Sequence, residues 1–299
     1  MTSLLLTVGV ALASVPGAQA DPGKQENPPS WALDRLDQRD SALDHLYGYT
    51  TTADTVTAYV IDTGVDAKQP DFEGRVEPGK NFVDGNDDTS DGNGEGTRLA
   101  SIVGGKDFGV AKKVHIVPVR VLDANGNGRL TNILAGIDWV AKNAKQPAVA
   151  VLGIGGPVND ALDNAVRNLA AVMPVAVPAG WSGGDASQSS PGRVAEALTV
   201  GASDSHDAIS PKSNRGAGID VFAPGVDIPS ATTSGAPTAS GTSMAAAFVA
   251  GAAALYRAAH PEQTPADVGK AIVDRATPDV LTGVPKGTPN RLVCTAEDD

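Results

Sequence analysis

Continuous apolar runs recur along the chain and are separated by longer segments of mixed polarity. Such runs are typical of parallel strands buried on both faces, because neither face then alternates with polar residues. The segments between them, such as residues 132–144 and 160–172, place apolar residues at helical spacing. Strands that alternate with helices predict an α/β domain with a parallel sheet. The predicted strands are TVTAYVID (55–62), HIVPVRVL (115–122), AVAVLGIG (148–155), MPVAVPAG (173–180) and ALTVGAS (197–203).

Polar and glycine residues follow several of these predicted strands. Asp62, the pair Gly155–Gly156 and the pair Gly180–Trp181 stand where three of the strands end. Ligand sites of open α/β sheets lie at the carboxyl ends of the strands. We therefore expect the functional site of this chain at that edge of the sheet.

The 299 residues contain no linker, repeat or composition break, so we expect one domain over residues 31–295. An apolar run followed by small residues predicts a secretory signal peptide over residues 1–20, and residues 21–30 are polar and proline-rich, which predicts a loose mature N-terminus. No other segment is apolar for long enough to span a membrane. The protein is therefore expected to be secreted and extracellular.

The formal net charge of −12 argues against a nucleic-acid partner, because phosphate binding needs clustered Lys and Arg. An acidic surface keeps a secreted protein soluble, and we expect a monomer. Cys294 is the only cysteine, so no disulfide can form within the chain.

A serine opens a long alanine-rich segment in the last third of the chain. In SGTSMAAAFVAGAAALY (240–256), small residues precede Ser243 and a helical stretch follows it. A hydroxyl at a helix N-terminus can cap the helix, and the helix dipole there also favours developing negative charge. The segment by itself leaves both roles open for Ser243, helix cap or nucleophile.

Five segments occur in the order in which subtilisin-like serine peptidases carry them, namely VIDTGVD, DGNGEGT, AVLGIGG, VPAGW and SGTSMAAAFVAG. The chain resembles this family, peptidase family S8, over about residues 30–293, and is most similar to its proteinase K branch. The resemblance implies a three-layer α/β fold with a central, mostly parallel twisted sheet and helices on both faces. It also implies a catalytic triad in the order Asp, His, Ser, in which Asp62 and Ser243 match the first and third members.

The chain departs from the family pattern at three positions. Glu95 stands in place of the catalytic histidine, Trp181 in place of the oxyanion asparagine, and Gly153 in place of a serine. The imidazole accepts the serine proton and returns it to the leaving amine, whereas an ionised carboxylate is a poor acid at neutral pH. An indole has a single N–H on a bulky ring and does not replace an amide donor.

These departures predict a pseudopeptidase that binds a peptide or protein partner. In subtilisin, removal of the histidine costs about 10⁶-fold in turnover and removal of the oxyanion asparagine about 10²–10³-fold. One alternative is an active serine endopeptidase with a Ser-Glu-Asp arrangement, as in sedolisins, and another is a purely structural remnant. Because the resemblance begins close to the predicted cleavage site, the sequence also predicts no propeptide domain.

Two local roles for Glu95 remain open beside that of a base. Arg98 lies three residues further on, so the two side chains are within reach of an ion pair on one helix face. The acidic segment from Asp84 also places Asp84, Asn86, Asp88, Ser90 and Glu95 at the positions of an EF-hand loop, although Thr89 stands at its glycine position.

The resemblance further implies two binding sites. An extended substrate would pair with one segment that contains Gly126, Asn127 and Gly128, and with a second that contains Gly153, Gly155 and Gly156. A structural Ca²⁺ would be held by Asp220 and the carbonyl groups of Ala195 and Ala197. The alternative for Asp220 is an ordinary loop aspartate.

Overall fold

The computed structural model describes residues 23–233 and 237–296. The signal peptide predicted for residues 1–20 lies outside these ranges. Within them, strands and helices alternate as the apolar pattern predicts, and each of the five predicted strands is present. Helix bounds also agree with the pattern, because residues 132–144 and 160–172 fall on the third and fourth helices.

The helices of the described residues are α1 (Trp31–Leu36), α2 (Glu95–Gly104), α3 (Leu130–Asn143), α4 (Asp160–Ala170), α5 (Thr242–Ala259) and α6 (Pro265–Asp274). The strands are β1 (Gly23–Glu26), β2 (Leu46–Tyr49), β3 (Thr57–Asp62), β4 (Lys80–Asn81), β5 (His115–Arg120), β6 (Ala148–Leu152), β7 (Gly156–Pro157), β8 (Val175–Pro178), β9 (Ser189–Ser190), β10 (Leu198–Ser203), β11 (Val221–Pro224), β12 (Ile228–Pro229), β13 (Thr238–Ala239), β14 (Thr277–Pro278) and β15 (Arg291–Leu292).

The central sheet of the described residues has nine strands in the order β14-β15-β11-β10-β8-β6-β3-β5-β4. All neighbours pair in parallel except β14 and β15 at one edge, which pair antiparallel. The mostly parallel sheet that the sequence predicts is therefore confirmed. Because β8, β6 and β3 are neighbours, the three strand ends singled out in the sequence lie side by side.

Helices cover both faces of this sheet. Along β3, Ala58 and Val60 pack against α2 and α5, whereas Tyr59 and Ile61 pack in a second cluster with α3 and α4. Successive side chains of a strand point to opposite faces, so a strand covered on both sides carries an unbroken apolar run. The three-layer arrangement is confirmed, and it accounts for the continuous runs of the sequence.

The N-terminal segment differs from the loose chain that the sequence predicts for residues 21–30. From residue 23 onward it is described, and β1 pairs antiparallel with β2. The side chain of Gln25 donates to the carbonyl of Asp107 over 3.0 Å and accepts from the ammonium of Lys112 over 2.6 Å. Its partners lie far along the chain, so local composition gave no signal of this pairing.

None of the helices formed by residues 23–233 and 237–296 has the length and hydropathy of a transmembrane segment.

Candidate active site

Ser243 and Glu95 lie in the first turns of two different helices. Ser243 is the second residue of α5, and Glu95 is the first residue of α2. The Ser243 hydroxyl donates a hydrogen bond to Oε1 of Glu95 over 2.9 Å. This is the distance found between a nucleophile and the base that activates it. The structure thus brings together the two residues that the family pattern places at the serine and histidine positions.

Asp91 fixes the turn that presents Glu95. Its carboxylate accepts hydrogen bonds from three backbone N–H groups and two hydroxyls, contributed by Thr63, Asn93, Gly94 and Thr97. Several charge-assisted bonds to one carboxylate hold a loop in a single conformation. Gly94 precedes α2 with φ of 105°, a left-handed conformation that glycine adopts without steric cost.

Asp62 is the last residue of β3 and is fully buried. Its Oδ1 accepts a hydrogen bond from the N–H of Thr63 over 2.7 Å, while Oδ2 has no hydrogen-bond partner among the described residues. Burial and the nearby charge of Glu95 raise the pKa of the Asp62 carboxyl well above its usual range. A buried carboxyl with an unpartnered oxygen favours its neutral form.

The charge state of Glu95 is set by opposing effects. Burial raises its pKa, the hydrogen bond from Ser243 lowers it, Asp91 raises it and Arg98 lowers it. The guanidinium of Arg98 is itself buried and donates from Nη1 to the Ser230 hydroxyl over 3.2 Å. The charge of Arg98 therefore lowers the pKa of Glu95, while the Glu95 carboxylate accepts a hydrogen bond from Ser243.

A cavity of about 560 Å³ opens in front of Ser243 and Glu95. Its wall includes Gly153, Gly155 and Gly156, together with Trp181 and Asn214. Trp181 is partly buried and packs against the apolar cluster that contains α5. The three glycines and the tryptophan that the sequence placed at the site are therefore all present on its wall.

No histidine lines this cavity. His45 lies 3.9 Å from Asp34, and Nδ1 of His115 lies 3.0 Å from Oε1 of Glu77. His260 stacks against the ring of Tyr256 at the end of α5. None of these three histidines is among the described residues that line the cavity around Ser243.

The segment with Gly126, Asn127 and Gly128 lies apart from the cavity wall. It forms an exposed turn in which Oδ1 of Asp123 accepts the N–H of Asn127 over 2.9 Å. The Asn93 side chain connects the turn to the Glu95 loop by donating to the carbonyl of Ala124 over 3.1 Å. The turn therefore borders the Glu95 loop without lining the cavity.

The acidic segment before α2 is not an EF-hand-like site. Oδ2 of Asp84 accepts from Asn81, Oδ1 of Asp88 accepts from the N–H of Ser90, and Glu95 faces Ser243 instead. Across residues 23–233 and 237–296, no group of three or more His, Cys, Asp or Glu could hold a metal ion. Local turn bonds satisfy these carboxylates, so that alternative is wrong.

Asp62 lies at the end of β3, Glu95 and Ser243 lie in the first turns of α2 and α5 beside one cleft, and the similarity to known proteins extends over most of the chain. The model of the subtilase family, Peptidase S8, matches residues 54–292. The chain belongs to the subtilase family. Its described part also superposes on the crystal structure of a cold adapted subtilisin-like serine proteinase with a TM-score of 0.89 and 43% identity, covering 91% of this chain and 100% of the other.

Several relatives of this subtilase have names that refer to proteolysis. It is 44% identical to the extracellular serine proteinase of Thermus sp. (strain Rt41A), over 90% of this chain and 67% of the relative. It is 45% identical to alkaline serine exoprotease A of Vibrio alginolyticus, again over 90% of this chain. The match covers half the length of that relative.

The first turn of α5 places backbone N–H groups next to Ser243. Ser243 lies in the first turn of α5, where backbone N–H groups lack partners within the helix. The N–H of Gly180 donates to the hydroxyl of Thr242 over 3.2 Å, which fixes the loop carrying Trp181 against α5. Trp181 lines the cavity at the position where the family pattern has an asparagine, so an indole stands there in place of a side-chain amide.

Asp220, Ala195 and Ala197 line a second cavity, of about 570 Å³, on another part of this subtilase. Oδ2 of Asp220 accepts the N–H of Thr199 over 2.7 Å. Burial raises the pKa of Asp220 to about 6, although the hydrogen bond from the Thr199 N–H and the charge of Arg291 both lower it. Asp220 is half-buried and lines this cavity together with Ala195 and Ala197, and carboxylate and carbonyl oxygens are ligands that Ca²⁺ prefers, so these residue types suit Ca²⁺.

Asp91 and Thr63 are the residues of the site that the sequence analysis missed. The Thr63 hydroxyl donates to Asp91 over 2.9 Å and accepts the N–H of Gly96 over 3.0 Å. An aspartate before a glycine-rich helix start is the only local signal, and it is shared by many ordinary turns. Thr63 and Asp91 hold the turn before α2 because the end of β3 lies next to the loop that carries Glu95.

Proposed function

We propose that this chain is a secreted, monomeric subtilase homologue that binds an extended peptide segment and does not hydrolyse it at neutral pH. The observation that carries the proposal is the partner of the nucleophile. The Ser243 hydroxyl donates to the carboxylate of Glu95, at the position where the family carries an imidazole.

One carboxyl is poorly suited to both proton transfers at neutral pH. To activate Ser243, Glu95 must be ionised, and to assist departure of the amine it must then deliver the proton it has received. Burial raises the pKa of Glu95, so its carboxyl stays protonated to a higher pH. A protonated carboxyl cannot accept the proton of the Ser243 hydroxyl. Asp62 offsets this only weakly, because burial and the charge of Glu95 raise the pKa of Asp62 and so disfavour the negative charge that would stabilise a protonated base.

The cleft can still bind a peptide that it does not hydrolyse. Gly153, Gly155 and Gly156 border the open cavity, and Gly156 belongs to β7, which pairs antiparallel with β9. A Cβ atom at Gly155 would have no heavy atom within 4 Å, so the backbone there is open to an incoming strand. Main-chain hydrogen bonds to such an edge supply affinity that does not depend on a catalytic base.

A second function is favoured by the same hydrogen bond. A half-buried Glu95 joined to Ser243 over 2.9 Å, with its charge acting on Asp62, has the composition of a Ser-Glu-Asp peptidase. Such an enzyme would act in acid, where the carboxyl pair retains a proton that can be passed to the leaving group. The names of the relatives favour this alternative, whereas the missing amide donor at Trp181 disfavours it.

We also propose a structural Ca²⁺ at Asp220. The ion would be held by the Asp220 carboxylate with the carbonyl groups of Ala195 and Ala197, and it would neutralise a charge that burial makes unfavourable. It takes no part in the chemistry at Ser243.

Two measurements test the proposed function. A fluorophosphonate probe should label the purified protein no more than it labels Ser243→Ala, at pH 7.5 and at pH 4.5. Serine-dependent labelling at pH 4.5 would instead support the acid peptidase, and labelling at pH 7.5 would contradict the proposal.

Binding is measured by anisotropy of a fluorescent extended peptide, followed by mass spectrometry to establish that the peptide stays intact. Gly155→Trp should fill the cleft edge and abolish binding. Gly218→Trp is the matched control, because a Cβ at Gly218 also has no heavy atom within 4 Å and the residue lies outside the cavity wall. Equal binding by both variants would exclude this cleft as the peptide site.

A further inference from the structure

The carboxyl of Asp62 occupies the space in which a side chain at residue 153 would begin. A Cβ atom at Gly153 would lie 1.9 Å from Oδ2 of Asp62 and 2.7 Å from Cδ1 of Leu99. Real Cβ contacts shorter than 3.0 Å are essentially never seen, so Asp62 would have to move. The φ angle of Gly153 is not positive, and the backbone conformation alone therefore does not require glycine.

The charge next to Asp62 differs from that in the Asp-His-Ser arrangement. In the Asp-His-Ser arrangement, the aspartate accepts the imidazole N–H and is held facing it. Here the neighbouring group is a second carboxyl whose charge raises the pKa of Asp62, and Oδ2 of Asp62 has no hydrogen-bond partner among the described residues. Each of two close carboxyl groups disfavours ionisation of the other, so a larger separation between Asp62 and Glu95 lowers the cost of ionising the pair.

We infer that Gly153 is a positioning residue for Asp62: the space left by its missing side chain lets Asp62 turn away from Glu95, and the glycine is therefore coupled to the glutamate. A serine at 153 would force the Asp62 carboxyl back toward residue 95. With glutamate at 95 this is unfavourable, whereas with histidine it restores the aspartate–imidazole contact. The inference concerns the site of the proposed function but does not depend on whether the protein hydrolyses peptides.

A cycle of four proteins tests the coupling: the parent, Gly153→Ser, Glu95→His and the double variant. In the parent background Gly153→Ser should lower the melting temperature at pH 7.5 by roughly 2–10 °C, as expected for an overpacked buried site. In the Glu95→His background, Gly153→Ser should lower the melting temperature much less, or should raise it. Gly155→Ser is the matched control, because its Cβ meets no heavy atom within 4 Å, and it should have little effect in either background.

The pH dependence separates charge repulsion from simple crowding. In the parent background the cost of Gly153→Ser should be larger at pH 9 than at pH 4.5, because acid neutralises the carboxyl pair. The charged groups that act on this pair are Asp91 before α2 and Arg98 within it. Arg120 on the neighbouring strand β5 directs its guanidinium to the Ser90 carbonyl and Asp84. A purely steric cost would be the same at both pH values.

The imidazole introduced by Glu95→His gives a readout that a merely structural role would not change. Its Hε1 proton can be titrated by NMR in the Glu95→His protein and in the double variant. Adding Gly153→Ser should raise the imidazole pKa by about 1 unit, because an ionised Asp62 facing the ring favours the imidazolium. Gly155→Ser should leave that pKa unchanged.

Equal melting costs in both backgrounds, or an imidazole pKa insensitive to Gly153→Ser, would overturn the inference. If Gly153→Ser does not fold with glutamate at 95 but folds in the Glu95→His background, the expected coupling is present in its strongest form. If it folds in neither, Gly153→Ala, which adds the same Cβ, replaces it in all measurements. None of these readouts uses turnover, so a failure of the proposed function would leave them unaffected.

Discussion

The Ser243 hydroxyl and the Glu95 carboxylate, 148 residues apart in the chain, are joined by a hydrogen bond of 2.9 Å. The bond occupies the place at which a subtilase passes the proton of its nucleophile to an imidazole. A carboxylate makes the same geometric contact with different acid–base properties. The chemistry of this site therefore depends on the protonation of Glu95 and of the Asp62 carboxyl behind it.

The parent protein should not hydrolyse casein or peptide substrates at any pH from 4 to 10. Without an imidazole, Ser243 behaves as an ordinary alcohol, and turnover should lie about 10⁶-fold below that of an intact subtilase. Release of peptides is measured against Ser243→Ala, which removes any contribution of a contaminating protease. Serine-dependent hydrolysis confined to acid would identify Glu95 as a working base instead.

Glu95→His should restore a proton acceptor next to Ser243, and Trp181→Asn should restore the oxyanion donor. Hydrolysis of a small activated ester should remain about 10²–10³-fold weaker in the single Glu95→His variant than in the pair, because one donor is still missing. Trp181→Asn alone should gain nothing. The control is Ser243→Ala in the double variant, which must abolish the activity. A folded double variant as inert as the parent would mean that these two substitutions do not account for the loss.

Asp91→Ala should destabilise the turn that carries Glu95. It removes the acceptor of five hydrogen bonds, so the free energy of unfolding should fall by about 2–4 kcal/mol. Amide hydrogen exchange should accelerate over residues 93–97. Asp87→Ala is the matched control, since the Asp87 carboxylate is exposed and contacts the Lys80 ammonium at the surface. Similar losses in both variants would contradict the role given to Asp91.

Asp220→Asn should stabilise the calcium-free protein at high pH. Burial raises the pKa of Asp220 from 3.8 to about 6. A carboxyl with a raised folded-state pKa contributes stability that is complete below about pH 4 and is lost as the pH rises through about 6. In chelator at pH 8, the free energy of unfolding from urea denaturation should therefore be about 1–3 kcal/mol higher for Asp220→Asn than for the parent. At pH 4 the two proteins should have the same free energy of unfolding. A less stable variant at pH 8 would contradict this electrostatic cost.

Calcium should raise the melting temperature of the parent, because the native state would bind the ion and the unfolded chain would not. Chelator should lower it, and Asp220→Ala should remove the difference between the two conditions. Asp138→Asn serves as control, since Asp138 is an exposed carboxylate whose Oδ2 contacts Lys142 within α3. Identical melting of the parent with calcium and with chelator would rule out a stabilising site.

The sequence by itself determined the fold of this protein. A parallel strand covered on both faces needs apolar side chains at every position, and β3 and β6 carry such runs. The order of the motifs was sufficient to place Asp62, Glu95 and Ser243 at one edge of the sheet. The sequence also shows directly that Glu95 stands at the histidine position of the motif, because no structural information is needed to identify a residue.

Only the tertiary structure decided what those residues contact. Arg98 is near Glu95 in sequence, yet the Glu95 carboxylate accepts its hydrogen bond from Ser243, because the first turns of α2 and α5 meet at the cleft. Local spacing likewise suggested an EF-hand-like loop and a loose N-terminus, and contacts between distant segments overrode both. The space at Gly153 is visible only once β3 and β6 lie side by side, since Asp62 fills it from the neighbouring strand. Distances and burial depend on such long-range packing, and no local sequence pattern encodes them.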